Sequence, residues 1–209
     1  MKKLLNLTLI IMLLVSGMLI FTGCENGNSG VKANTTEISC KLGKGTITFA
    51  VPKKDDGTPK YEFTSEKPES IKYKGTMYLE TDNAVLTFAT SGLVYNTSKD
   101  YKEKFGEQKA TFEKYIEWAN NPESTINSKD MTVMEINGNK AVRRYIREGG
   151  SGNYKYYGYS YMIGVDEVYP GSYLSMCVYY KGDEELTSPK DIDSETQDII
   201  NTLKITLNN

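Results

Sequence analysis

Met131-Thr132-Val133-Met134-Glu135-Ile136-Asn137-Gly138-Asn139-Lys140-Ala141-Val142-Arg143-Arg144-Tyr145-Ile146-Arg147 is the stretch that decides the fold. Two runs rich in β-branched, aromatic and long apolar residues flank Asn137-Gly138. An Asn-Gly pair accepts the two positive-φ positions of a tight two-residue turn. The stretch therefore predicts an antiparallel hairpin with arms Met131 to Ile136 and Lys140 to Arg147. Outward toward the C-terminus, Gly149-Gly150-Ser151-Gly152 reads as a loop, followed by strands over Tyr154 to Val165 and Ser172 to Tyr180 joined around Pro170-Gly171. Ser194 with Gln197 three residues on forms a capping box for a last helix, whose buried side is Ile199, Ile200 and Leu203.

Toward the N-terminus, Phe105, Phe112, Tyr115, Ile116 and Ala119 fall on one helical stripe that ends near Asn120-Asn121-Pro122. Trp118 lies on or beside it, either as core or as a platform for a ligand. Ile71 to Glu80 and Ala84 to Tyr95 predict a second hairpin turning at Thr81-Asp82-Asn83, and Tyr61-Glu62-Phe63 a short strand. Lys53 to Lys60 is a charged loop after an alternating strand, Thr46 to Val51, that stops at Pro52. About seven hairpin-linked strands with a middle and a C-terminal helix make one α+β domain over residues 37–209, an antiparallel sheet with flanking helices.

The chain has 209 residues and no histidine. Lacking that side chain, it cannot use His-assisted Ser or Cys nucleophiles, His general bases or imidazole metal ligands. Gly-x-Ser-x-Gly, P-loop and dinucleotide glycine patterns are absent, and the Ser29 to Lys32 match to Ser-x-x-Lys lies in a polar stretch unfit to hold catalytic geometry. No catalytic residue, metal site or cofactor is expected. Nor does the formal charge of −2 favour nucleic acid as a partner.

The N-terminus carries an address. Met1-Lys2-Lys3 is a positive start, Leu4 to Phe21 is an almost unbroken apolar run, and Thr22-Gly23 precede Cys24, the layout of an export signal. Phe21-Thr22-Gly23-Cys24 resembles the lipobox of bacterial lipoproteins, with Phe where Leu is usual. The resemblance implies cleavage after residue 23, a diacylglyceryl thioether on Cys24, and anchorage at the outer face of the cell membrane. Loss of Lys2 and Lys3 would take the formal charge from −2 to −4. An uncleaved membrane helix is the competing reading, since such a run is just long enough to span. Residues 24–36 are small and polar and read as a flexible tether.

The order of elements is similar to the PsbP-like superfamily over roughly Thr46 to Leu207. The points of likeness are Val51-Pro52 closing the opening strand, the helix after two hairpins, and the closing Ile199-Ile200-Asn201-Thr202-Leu203-Lys204-Ile205. Lys53-Lys54 stand where members often have an aromatic. The resemblance implies an α/β/α sandwich, a sheet covered by helices on both faces, and no particular activity.

Three groups of side chains carry chemistry. The three arginines of the chain are Arg143, Arg144 and Arg147. Strand alternation puts Arg143 and Arg147 on one face, either as a forked clamp for carboxylate or phosphate or as cross-strand partners of carboxylates such as Glu135. Nine of the sixteen tyrosines lie between 154 and 180. Alternation sends Tyr157, Tyr159 and Tyr161 to one face and Tyr154 and Tyr156 to the other. The first set is either a binding surface or a sheet face under a helix. Cys40 and Cys177 are either a disulfide or two buried thiols; without histidine they make no usual zinc site. Asp191, Asp193 and Glu195 have the odd spacing of a calcium loop, but Thr196 replaces its glycine, and an acidic first helical turn explains them better. The expectation is a non-catalytic binding or accessory lipoprotein of the envelope, facing a protein, peptide or glycan. The alternatives are a carboxylate-dependent enzyme on envelope glycans and a structural or assembly lipoprotein.

Overall fold

The computed structural model describes residues 34–71, 74–93, 103, 111–121, 131–150, 153–181 and 186–208. The expectations for the leader, Cys24 and Phe105 lie outside them. Most of the described chain forms two antiparallel sheets, with two short helices, in an α+β arrangement that is mainly β. The small sheet has order β1-β2-β10, with β1 Thr35–Leu42, β2 Gly45–Pro52 and β10 Lys204–Leu207. The large sheet has order β3-β4-β5-β9-β8-β7-β6, with β3 Phe63–Thr64, β4 Met77–Glu80, β5 Ala84–Gly92, β6 Thr132–Ile136, β7 Asn139–Gly150, β8 Asn153–Gly164 and β9 Ser172–Tyr180. The helices are α1 Phe112–Ala119 and α2 Ser194–Asn201.

The deciding stretch folds as its turn chemistry requires. Asn137 at φ 45° and Gly138 at φ 82° make the reversal, and Ile136 pairs with Asn139. The β4–β5 hairpin likewise turns at Thr81-Asp82-Asn83.

Several boundaries move for physical reasons. Thr35 and Thr36, placed in the tether by composition, pair with Pro52 and Val51 and belong to β1. Gly149 and Gly150, expected as loop, continue the β7 ladder opposite Tyr154 and Asn153. Asp193, not Ser194, caps α2: its carboxylate accepts the Thr196 N–H at 3.0 Å. Lys204–Leu207, not expected as a strand, becomes β10 because Lys204 to Leu207 find the free edge of β2.

One face of the large sheet packs on the small sheet and α2. Leu86, Phe88, Leu174 and Met176 meet Ile47, Phe49, Val51, Ile199 and Leu203 in one core, and Phe49 and Phe88 lie 5.6 Å apart, ring to ring. The opposite face carries α1, whose Phe112, Tyr115, Trp118 and Ala119 pack around Val142. Trp118 is thus core, not a ligand platform. A further cluster on that face holds Ile71, Tyr78, Val85 and Tyr179.

Candidate functional site

The candidate site lies on β7, β8 and β9, and a β-bulge creates it. Ile146 pairs with Gly158 and Arg147 with Tyr156, so the backbone register of β7 skips Tyr157. Gly158 sits at φ 147°, and a Cβ there would lie 1.8 Å from the Val178 carbonyl oxygen. Glycine is the residue that fits. The extra residue resets the alternation. Tyr157 joins the cluster of Val85 and Tyr179 on one side. Tyr154 and Tyr156 come round to the side of Tyr159, against the period-two expectation, because Tyr156 meets Tyr145 there at 5.6 Å.

The result is a continuous stripe of rings. Tyr154 and Tyr156 are 6.4 Å apart, Tyr156 and Tyr145 5.6 Å, Tyr145 and Tyr159 5.3 Å, Tyr159 and Tyr180 6.2 Å. Most pairs are edge-to-face or tilted, the arrangement ring quadrupoles favour. Arg147 lies 4.0 Å over Tyr154, and Arg143 4.8 Å over Tyr159. Tyr145, Tyr154, Tyr156 and Tyr180 are half-buried; Tyr159 is buried, and Tyr161, at 0% exposure, lies in the core below. Tyr159 and Tyr161 therefore support the stripe from beneath and do not face solvent. Tyr145 and Tyr180 belong to the stripe although sequence reasoning did not name them. The signal that could have found them is Gly158, a lone glycine inside a strand pattern.

Arg143 decides the electrostatics. Its cross-strand neighbours are Thr132 and Tyr161, neither of them acidic, while Glu135 stands opposite Lys140. No carboxylate among the described residues pairs with the Arg143 guanidinium, which is half-buried over the Tyr159 ring and close to the Tyr161 hydroxyl. Arg144 points to the other face, donating to the Tyr115 hydroxyl at 3.1 Å. Burial pushes Tyr161 up to about 12, an effect that the nearby charge of Arg143 only partly opposes. The Tyr161 hydroxyl has no hydrogen bond of normal geometry among the described residues. Burial also raises Tyr159 and Tyr180. Arg143 and Arg147 put positive charge over the stripe, while the Asp191 carboxylate lies near enough to its Tyr159–Tyr180 end to add to the rise of both. Tyr180 donates to the Lys190 carbonyl, and a cavity of about 180 Å³ opens beside it, lined by Lys190, Asp191, Ile192 and Asp193.

The remaining candidates are scattered. Cys40 packs in the core between the two sheets, whereas Cys177 packs with the cluster on the other face of the large sheet. The sheet lies between the two thiols, and both are free. Burial pushes the Cys40 thiol up to about 11. Asp82 and Glu195 come close, but Lys60 bridges them at 2.7 and 3.0 Å, and Tyr61 donates to Glu195. That carboxylate pair is a clamp tying α2 to the β4–β5 turn. In a cleft of about 410 Å³ near the start of α1, Asp166 accepts the Phe112 N–H at 2.9 Å through one oxygen while its other oxygen is buried with no hydrogen bond among the described residues, and Lys140 pairs with Glu113. Among the described residues no group of three or more Cys, Asp or Glu side chains could hold a metal, and no helix is long and apolar enough to cross a membrane. Comparison with protein-family models, curated proteins and solved structures finds no match to this chain.

Proposed function

We propose that this chain is a bacterial lipoprotein, anchored through lipid on Cys24 at the outer face of the cell membrane, and that its domain is a non-catalytic binding module. The address rests on the Lys2-Lys3 start, the apolar run and the Phe21-Thr22-Gly23-Cys24 ending. With β1 beginning at Thr35, ten residues separate the anchor cysteine from the first strand, a span on the order of 17 Å for a polar linker. The module works close to the membrane. We read its fold as PsbP-like, on the support of a large antiparallel sheet with α1 packed on one face and α2 in the core on the other.

The binding role rests on one observation above the rest: a half-buried Arg143 lies over a tyrosine stripe with no carboxylate partner among the described residues. A guanidinium so placed is preorganised for a ligand anion. Two measurements test the reading. Mass analysis of membrane-extracted protein should give a chain starting at lipidated Cys24, and Cys24→Ser should abolish the lipid; a mass that retains residues 1–23 defeats the anchor. Capture of an envelope component by the full chain should fall at least tenfold in Arg143→Ala; unchanged capture defeats the site.

A further inference from the structure

Resting on that binding site, we infer that its ligand is a carboxylate-bearing glycan, a chain of pyranose rings laid along β7. Four features of the stripe point to sugar. First, Tyr154, Tyr156 and Tyr145 are half-buried rings in a continuous run that rests on buried Tyr159, and these three offer apolar faces with hydroxyls at their rims. Such faces match the C–H faces and hydroxyl edges of pyranoses. Second, where Arg143 and Tyr159 stand, β7 and β8 are each paired on both sides, β7 with β6 as far as Arg143 and β8 with β9 from Gly158 onward, so at the arginine an extended peptide finds no free strand edge to join. Third, the cavity beside Tyr180 is only about 180 Å³ and its lining is charged at Lys190, Asp191 and Asp193, a poor pocket for an apolar side-chain anchor. Fourth, the stripe is long: Arg143 and Arg147 stand four residues apart, about 13 Å along the strand, which favours a linear ligand over a compact one.

The anion follows from Arg143. A neutral sugar would leave a half-buried guanidinium uncompensated. A planar carboxylate can take its N–H fork in two parallel hydrogen bonds while the sugar ring stacks beside it. Phosphate would satisfy the charge, but a glycerol-phosphate polymer has no ring to lie on tyrosine, so the ring run favours carboxylate on sugar.

The test is calorimetric titration of the full chain in detergent with four probes: oligogalacturonate, its methyl ester, neutral cello-oligosaccharide and poly(glycerol phosphate). Oligogalacturonate should bind, and the methyl ester should bind at least roughly tenfold more weakly, the usual scale for losing a charge-assisted pair. Arg143→Ala should weaken oligogalacturonate to the same extent while lowering the melting temperature by no more than about 2–4 °C. Tyr156→Phe should bind as the parent and Tyr156→Ala more weakly, because the ring face matters and the hydroxyl does not. Equal binding of ester and acid, or tighter binding of poly(glycerol phosphate), overturns the carboxylated-glycan assignment. If no probe binds while Arg143-dependent capture of an envelope component persists, the glycan assignment falls and the binding module stands. If that capture is absent too, both fall.

Discussion

On one face of the large sheet, Leu86, Phe88, Leu174 and Met176 press against Ile47, Phe49 and Val51 of the small sheet, all at 0% exposure. On the same face, farther along β7 and β8, Tyr145, Tyr154 and Tyr156 stand half in water, with Arg147 over Tyr154 and Arg143 over the adjoining Tyr159. The strands are shared and the chemistry changes within a few residues. Exposure along β7 rises from buried Ala141, through half-buried Arg143 to Arg147, to exposed Glu148. Where a second sheet covers the face, hydrocarbon can fill it without polar atoms. Where the cover ends, each large ring needs a wet edge, which tyrosine supplies and phenylalanine does not. The covered end is what a fold requires. The uncovered end has a charged group that folding alone does not explain.

The largest effect should come from breaking the covered end. Phe49 is fully buried and its ring lies 5.6 Å from Phe88 and 6.1 Å from Phe63. Phe49→Ala removes the piece that spans both sheets and should cost about 3–5 kcal/mol, read from denaturant melts of the domain. A cost below about 1 kcal/mol would mean that the two sheets do not share a core.

Next in size is Gly158→Ala, which attacks the boundary between the ends. The added Cβ meets the Val178 carbonyl, and φ 147° is unfavourable to any other residue. A destabilisation of about 1–3 kcal/mol is expected. Relief of the clash by removing the bulge would return Tyr154 and Tyr156 to the opposite face. Ligand capture through Arg143 should then fail even in the fraction that folds.

How much of this was legible beforehand depends on the range of the physics involved. The Asn137-Gly138 hairpin, the Thr81-Asp82-Asn83 turn and the buried Ile199, Ile200 and Leu203 follow from local rules and stand where those rules put them. β10 was not legible, because a four-residue strand exists only by virtue of an edge more than 150 residues earlier. The tyrosine stripe was half legible. The residues and the arginines stood out by their clustering, but their faces were assigned by strict alternation, and one extra residue at Tyr157 inverts everything N-terminal to it on β8. Cys40 and Cys177 were equally hidden: each lies within a strand, and only the sheet order reveals that they lie on opposite sides of the large sheet.

Alkaline titration sharpens the comparison more gently. Burial holds Tyr161, under the stripe, and Tyr61, at the Lys60 clamp, each up at about 12. Both folded values lie above the ordinary phenol value of 10.0. The stability these groups contribute is therefore complete below pH 10 and is lost as pH rises from about 10 toward 12. Tyrosinate absorbance should show a late-ionising fraction, and melts should weaken over that window. Tyr161→Phe removes an unpartnered buried hydroxyl and should leave neutral-pH stability unchanged or slightly improved while flattening the alkaline loss. A clear loss at neutral pH would reveal that the hydroxyl has a partner.

The smallest stability effect expected is the most telling one. Arg143 touches the fold at the Tyr159 ring, 4.8 Å away, and near the Tyr161 hydroxyl, and has no carboxylate partner among the described residues. A cation that keeps part of its hydration while it lies over a ring is worth about 0.5–1 kcal/mol. Arg143→Ala should thus shift the melt by no more than that, and Arg143→Met, which keeps the apolar stem, by less. A loss above about 2 kcal/mol would assign Arg143 to the folding end of the face. Near-neutral stability together with lost ligand capture would separate the two ends as the geometry does, one held by hydrocarbon closure and the other kept open for an anion.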